Sequence, residues 1–386
     1  MKGSWLIRGG TVCLPDGMKK SEVLVENGRI TAVGEKLPVS GAEEMDASGL
    51  LVMPGFVDIH THGAVGVDMN GADREGLTKV SAFFASQGVT GFLPTLLTDS
   101  HEALLQYVRT IGVAAPDITE GAAVLGIHLE GPYLCAEYKG AMPEHLLQTP
   151  DISRFMQYQT ASGGQIRRVT VSPEVEGVEQ FIPQAVAAGV SVSIGHSGAD
   201  YDTAWRCIRC GAASATHTFN AMKLLHQHFP AISGAVLESD VYAEAICDGI
   251  HLHPGTVRIL LKAKGLERVI AVTDSIMAAG LGDGRFKLGV NDIVVKNGDA
   301  MLADGASRAG STLTMCKAFA NLRQFTDLPP YQISRLLSAN PADLLGLGGR
   351  KGRILPGYDA DLTVISDEGA VKATFVKGRR VFCAVQ

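Results

Sequence analysis

The sequence predicts an α/β chain: a (β/α)₈ barrel of the TIM type with a small β-sandwich domain formed from both chain ends. Three observations carry the prediction. From Phe56 onward, apolar strand-like runs alternate eight times with stretches of helical spacing. Residues 1–54 and the stretch after Gly352 read instead as short β-branched strands with turns. Six of the eight strand runs end in His, Asp or Glu, on the side where such barrels place their chemistry.

At 386 residues the chain exceeds what one core usually supports, so two domains, or a barrel with an annex, are expected. Apolar residues make up 46% and charged residues 19%, which is enough apolar surface for a sizeable core. The net charge of −6 argues against a nucleic-acid binder and against a polybasic membrane patch. The opening MKGSWLIRGG lacks the apolar run of a signal peptide. No stretch approaches the ~20 apolar residues that span a bilayer. Seven scattered cysteines and no leader point to reduced thiols in a cytoplasm. Cys207-Ile-Arg-Cys210 is a lone CxxC without a second pair, and it lies in an apolar helical stretch, so it reads as packing.

In the first 54 residues, Ser21–Val25 and Arg29–Val33 flank Asn27-Gly28, a hairpin signal because both turn residues tolerate positive φ. Strand runs of the barrel follow near 56–60, 89–96, 123–129, 167–172, 190–196, 212–218, 242–247 and 268–273. The third is read as one unbroken strand over Ala122–Leu129, stopped by Gly131-Pro132. Helical spacing over Arg74–Ser86 and Val178–Ala188 closes at Gly88 and Gly189. The span of about 290 residues suits a barrel of ~250 residues plus insertions. Alternation over 284–302, with Asn297-Gly298, places a β insertion beside the barrel mouth. Helices are expected at about 312–326, 330–338 and 341–347, the last two separated by Asn340-Pro341. Asp361–Ile365, Ala373–Val376 and Arg379–Phe382 are strands expected to pair with residues 1–54. The expected division is 1–54 with 348–386 as the β domain and 55–347 as the barrel.

The strand ends carry the chemistry. His60 and His62 alternate on one strand and therefore project to one face. Strand three gives His128 and Glu130, strand five ends in His196 and strand six in His217. Strand seven ends in Asp248 and, beyond it, His251; strand eight ends in Asp274. Ionisable side chains are costly to bury unpaired, so one divalent metal explains the set more economically than six separate core roles. Imidazole-rich donors favour Zn²⁺ or another first-row ion (Fe, Mn or Co) over Ca²⁺ or Mg²⁺. Glu130, His196 and His217 make three ligands and leave a position for water. His60 and His62 could hold a second ion with Glu130 bridging. A bound ion acidifies its water. Asp274 beside that water can take its proton and pass it to a leaving amine, with His251 on the scissile carbonyl or oxyanion.

With these residues the chain resembles the amidohydrolase superfamily and, within it, the N-acetylglucosamine-6-phosphate deacetylases. The matching segments include Pro54–Gly63, His128–Pro132, Lys139–Ala141, Ser193–Ser197, His217–Met222, Asp248–His251, Thr273-Asp274, Ala309–Met315 and Gly352–Leu362. The resemblance implies Glu130, His196 and His217 as metal ligands and Asp274 as acid/base. It implies Asn220, Ala221 and His251 as substrate contacts, with Ser307, Arg308 and Ala309 lining the site. It also implies a homodimer and one or two ions per chain. Two positions depart from the family pattern. After Ala141 many members carry a histidine near the sugar phosphate, and here it is Met142; the phosphate-associated arginine is replaced by His228. Histidine grips phosphate less well than arginine's bidentate fork, so Arg308 is the compensating candidate.

The expected reaction is metal-dependent removal of the N-acetyl group from an N-acetylhexosamine 6-phosphate. Other readings are a non-phosphorylated amino sugar, another N-acyl or cyclic amide, a deaminase, or a non-catalytic metal-binding protein. Strand four, Arg168–Pro173, lacks the lysine that many cyclic-amide hydrolases carboxylate. A deaminase leaves Glu130 without a role. A pure binder leaves Asp274 without one.

Overall fold

The computed structural model describes residues 3–38 and 41–384. Eight parallel strands form the barrel wall: β1 (Phe56–Thr61), β2 (Val89–Leu97), β3 (Ile127–Glu130), β4 (Ile166–Val171), β5 (Ser191–Ile194), β6 (Ser214–Ala215), β7 (Tyr242–Ile246) and β8 (Val269–Val272). Neighbours in sequence are neighbours in the sheet. Between β8 and β1 the seam closes through Asp274 N–H to His60 O (2.9 Å) and His62 N–H to Ser275 O (2.7 Å). The closing bonds therefore involve candidate site residues. The strands are apolar on their outer faces, where helices such as Arg74–Ser86 cover them. Asp73 caps that helix by accepting from Gly76 N–H (2.8 Å), and Gly88 follows its end at φ +80°.

The barrel interior is unusually polar. His128 Nε2 meets Thr170 Oγ1 (2.8 Å), Thr170 bonds to Thr216 (2.8 Å), and Thr216 bonds to Ser193 (2.7 Å). Arg168 and Glu244, both fully buried, complete the layer. Where barrels usually stack Val, Ile and Leu, this one supports its mouth with hydrogen-bonded groups.

The small domain is a sandwich of two sheets. One joins Trp5–Arg8, Glu22–Glu26, Arg29–Gly34 and Glu43–Asp46. The other joins Thr11–Leu14, Gly17–Lys20 and Leu51–Pro54 to Leu362–Ile365, Val371–Val376 and Arg379–Cys383. Both chain ends thus share a core of Trp5, Ile7, Val25, Val52, Val364 and Phe375. Trp5 and Phe375 meet edge to face at 5.2 Å. Burial of one such side chain contributes roughly 1.5–3 kcal/mol.

The β insertion comprises Gly284–Leu288, Asn291–Lys296 and Asp299–Leu302, turning at Asn297-Gly298 with positive φ at both. It is tied to the mouth by Asn291 Nδ2 to Ala141 O and Gly289 N–H to Asp68 Oδ2, each 2.7 Å.

Two expectations fail. The stretch before Glu130 is not one strand: a short piece, Ala123–Val124, is separated from β3 at Gly126, whose φ is +148°. A Cβ at Gly126 would lie 2.3 Å from Arg167 Cγ, so glycine there serves a close approach that breaks the ladder. Nor does Asn340-Pro341 separate two helices. Pro330–Ser334, a π turn over Arg335–Ala339 and Asn340–Leu344 run on without a gap. Proline lacks an N–H, and the wider π turn preceding it accommodates the interruption. Asn340 Nδ2 also donates to Leu266 O (2.8 Å) and Val269 O (2.7 Å), anchoring the junction to the barrel.

Candidate metal and catalytic site

Three site residues stand two positions beyond the last residue of their strand: His196 after β5, His217 after β6 and Asp274 after β8. All three are in left-handed backbone, with φ of +48°, +29° and +50°. Non-glycine residues hold such φ only where their surroundings impose it, and such strain gathers at functional sites. The turn redirects each side chain from the barrel wall to the axis. Glu130 ends β3, and His60 and His62 flank the end of β1.

These six side chains are buried and converge in two donor groups, Glu130 with His196 and His217, and His60 with His62 and Asp274. Glu130 Oε1 lies 3.1 Å from His196 Nε2, 3.2 Å from His217 Nε2 and 3.3 Å from His60 Nε2. Its Oε2 lies 3.2 Å from His62 Nε2. Asp274 Oδ1 is 3.5 Å from His60 Nε2 and 3.2 Å from His62 Nε2. Glu130 therefore joins the two groups.

All four histidines are held by the opposite ring nitrogen. Nδ1 of His62 donates to Thr95 O (3.2 Å), of His196 to Tyr138 O (2.8 Å), and of His217 to Asn220 O (3.1 Å). His60 Nδ1 meets Glu244 Oε2 at 3.1 Å. With the proton on Nδ1 held in this way, each ring turns Nε2 to the cluster, the orientation of a metal-binding imidazole. The charges agree. Burial would raise Glu130, yet His60 and His196 hold its carboxyl well below the usual range. Burial is likewise outweighed at Asp274, which His60 and His62 keep low. Burial would depress His62, but bonds to Asp274 and Glu130 lift it to about 9. A site that raises His60 and His62 and lowers Glu130 and Asp274 has a field suited to a cation. Imidazole and carboxylate donors in this geometry fit a divalent first-row ion.

Above the cluster opens a cavity of about 330 Å³. Ala141, Met142, Asn220, Ala221, His251, Ser307, Arg308 and Ala309 all line it, with His62, Glu130, His196, His217 and Asp274 at its floor. His251 is fixed by Asp248, which accepts from its Nδ1 (2.6 Å). Ser307 Oγ is buried without a hydrogen-bond partner among the described residues. Arg308 grips Asp299 through Nε and Nη2, both at 2.9 Å. Met142 is buried, packing with Leu97 and Leu288 to make one wall apolar.

His228 is not part of this wall. It sits in the exposed loop 223–229, turned back on itself by the His226–Phe229 bridge, and is not among the residues that line the cavity. His128, two residues before Glu130, shares its face but lies one layer deeper, bonded to Thr95 (3.2 Å) and Thr170. The sequence reading missed Glu137 and Tyr138 in the cavity wall and Glu244 beneath the cluster. Glu244 had a signal: a lone carboxylate inside the apolar run Tyr242–Ile246, where an unpaired charge is costly.

A parallel barrel with this cluster at its carboxyl mouth is an amidohydrolase architecture, and residues 51–381 match the Amidohydrolase family. An N-acetylglucosamine-6-phosphate deacetylase of Lysinibacillus sphaericus is 33% identical over 378 residues, covering 97% of each chain. The crystal structure of the Thermotoga maritima N-acetylglucosamine-6-phosphate deacetylase matches with a TM-score of 0.89 at 33% identity, over 98% of this chain and 100% of that one. A mutant of the Mycobacterium smegmatis enzyme, in complex with N-acetyl-D-glucosamine-6-phosphate, gives 0.92 at 32% identity, over 98% and 99%. The chain belongs to the N-acetylglucosamine-6-phosphate deacetylase family of amidohydrolases.

Proposed function

We propose that this chain removes the acetyl group from an N-acetylhexosamine 6-phosphate, N-acetylglucosamine 6-phosphate foremost, giving the amino sugar phosphate and acetate. The observation that carries this reading is the set of four histidines with Nδ1 engaged and Nε2 turned on Glu130 and Asp274. Glu130, His196 and His217 would hold a divalent ion, zinc first and iron, manganese or cobalt next. His60, His62 and Asp274 offer a second position, so the chain takes one ion or two. The bound ion supplies Lewis acidity at the acetamide carbonyl and at an attacking water.

Asp274 is the proton carrier. It faces the cavity and is kept anionic by His60 and His62, so it can accept a proton from water and deliver it to the departing amine. His251, anchored by Asp248, keeps Nε2 for the substrate. Asn220, Ala221, Ser307 and Ala309 shape the sugar pocket, and the unpartnered Ser307 hydroxyl suits a sugar hydroxyl. Arg308 is the candidate for the 6-phosphate, because apart from histidines it is the one basic side chain lining the cavity among the described residues. Ala141 and the apolar Met142 line the same pocket, packed in one cluster with Ala309.

We also place the protein in the cytoplasm as a homodimer. Seven free cysteines suit a reducing compartment. Among the described residues no helix is long and apolar enough to cross a membrane. Leu224, Leu225 and Phe229 are 62%, 53% and 70% exposed on one loop, an apolar patch suited to a second copy.

The deciding experiment is acetate release from N-acetylglucosamine and N-acetylgalactosamine, each with and without the 6-phosphate, after chelation and reloading with Zn²⁺, Fe²⁺ or Mn²⁺. Turnover of the 6-phosphates that vanishes on chelation is expected. No acetate from any sugar with any ion overturns the proposal.

A further inference from the structure

Glu244 lies in the middle of β7 with no solvent exposure. Its Oε2 accepts from His60 Nδ1 at 3.1 Å and from the His217 main-chain N–H at 3.0 Å. Its Oε1 faces Nη1 of the buried Arg168 in an ion pair. Arg168 Nη2 donates in turn to the hydroxyls of Ser193 (2.8 Å) and Ser214 (3.2 Å). His60 belongs to one donor group and His217 to the other. One carboxylate oxygen therefore touches both groups from below.

We propose that Glu244 is a positioning residue that holds the two donor groups in register, with Arg168 as the counter-charge that lets it stay anionic inside the barrel. A carboxylate on Nδ1 fixes the imidazole tautomer, orients the ring and strengthens the Nε2 lone pair. At His217 the same oxygen secures a backbone in the left-handed region, which an unsupported non-glycine residue adopts reluctantly. Arg168 explains how a carboxylate persists at this depth: an unpaired one would take up a proton and lose its grip on His60. A purely structural ion pair needs neither contact.

The inference rests on the reading that His60 and His217 face a cation. Its readout is metal affinity rather than turnover, so it fails separately from the proposed substrate. In the full-length protein, Glu244→Gln is expected to weaken Zn²⁺ binding by about 10- to 100-fold in competition with a chromophoric chelator. The ¹⁵N-histidine spectrum is expected to lose the single Nδ1–H form of His60. Glu244→Asp, which keeps the charge for Arg168 but withdraws the oxygen by one methylene, gives the same decision should the amide variant fail to fold. Wild-type Zn²⁺ affinity in either folded variant overturns the proposal.

Discussion

The Nε2 atoms of His196 and His217 stand 3.0 Å apart, on rings that meet at 72°. Both rings commit their Nδ1 proton to a main-chain carbonyl, Tyr138 O and Asn220 O. Two lone pairs this close repel unless a cation or a proton stands between them. Glu130 Oε1, within 3.2 Å of both, completes a triangle of donors that no hydrophobic packing would assemble.

The role of Asp274 separates catalysis from binding. Asp274→Asn keeps the shape of the side chain and removes its capacity to carry a proton. We expect kcat to fall by ~10²–10⁴-fold, with KM little changed and the ion at Glu130, His196 and His217 retained. Steady-state kinetics beside elemental analysis of the purified variant measure both. Activity near the wild-type level would remove Asp274 from the proton path.

Arg308 is expected to set the preference for phosphate. Its bidentate bond to Asp299 fixes the guanidinium but shares its charge, and the pair is partly exposed, so a modest effect is expected. Arg308→Ala should raise KM for the 6-phosphate about 10-fold and leave the unphosphorylated sugar unaffected. An unchanged KM for the phosphorylated substrate assigns the phosphate to another group.

Thiol chemistry tests the packing. Burial pushes Cys13, Cys207 and Cys247 from 9.0 up to about 12. At pH 8 the thiolate fraction of each is then ~10⁻⁴, so a thiol reagent should label the exposed Cys383 and spare these three. The sign for stability follows from proton binding. Between about 9 and about 12 the folded chain keeps protons that the unfolded chain has released. The contribution is complete below pH 9 and is lost as the pH rises toward 12. The melting temperature should fall across that window, and Cys247→Ala should soften the fall. Rapid labelling of Cys247 in the native protein would contradict its burial.

Much of the architecture was legible in one dimension. Eight apolar runs marked the barrel, because a parallel strand covered on both faces needs unbroken apolar sequence. His60 and His62, two residues apart, announced a shared face. The Asn27-Gly28 and Asn297-Gly298 turns announced hairpins. Breaks governed by a single contact were not legible. Gly126 interrupts the strand because of Arg167, and Pro341 fails to interrupt a helix because a π turn precedes it. His128 and His228 show the same limit at the site. Alternation gives the face of a strand but not the depth along the barrel, and a loop residue's direction is set by how the loop closes.

The amino-acid order by itself determined the class of fold, the strand ends that carry ionisable groups and the donor types that suit a divalent ion. These follow from periodicity and from the cost of burying charge, which are local properties of the chain. Tertiary structure alone decided which nitrogen of each histidine faces the cluster, which carboxylate joins the two donor groups and that Glu244 supports them from below. Those outcomes depend on main-chain carbonyls and on side chains such as Arg168 and Glu244, which are 76 positions apart in sequence and meet only when the barrel closes.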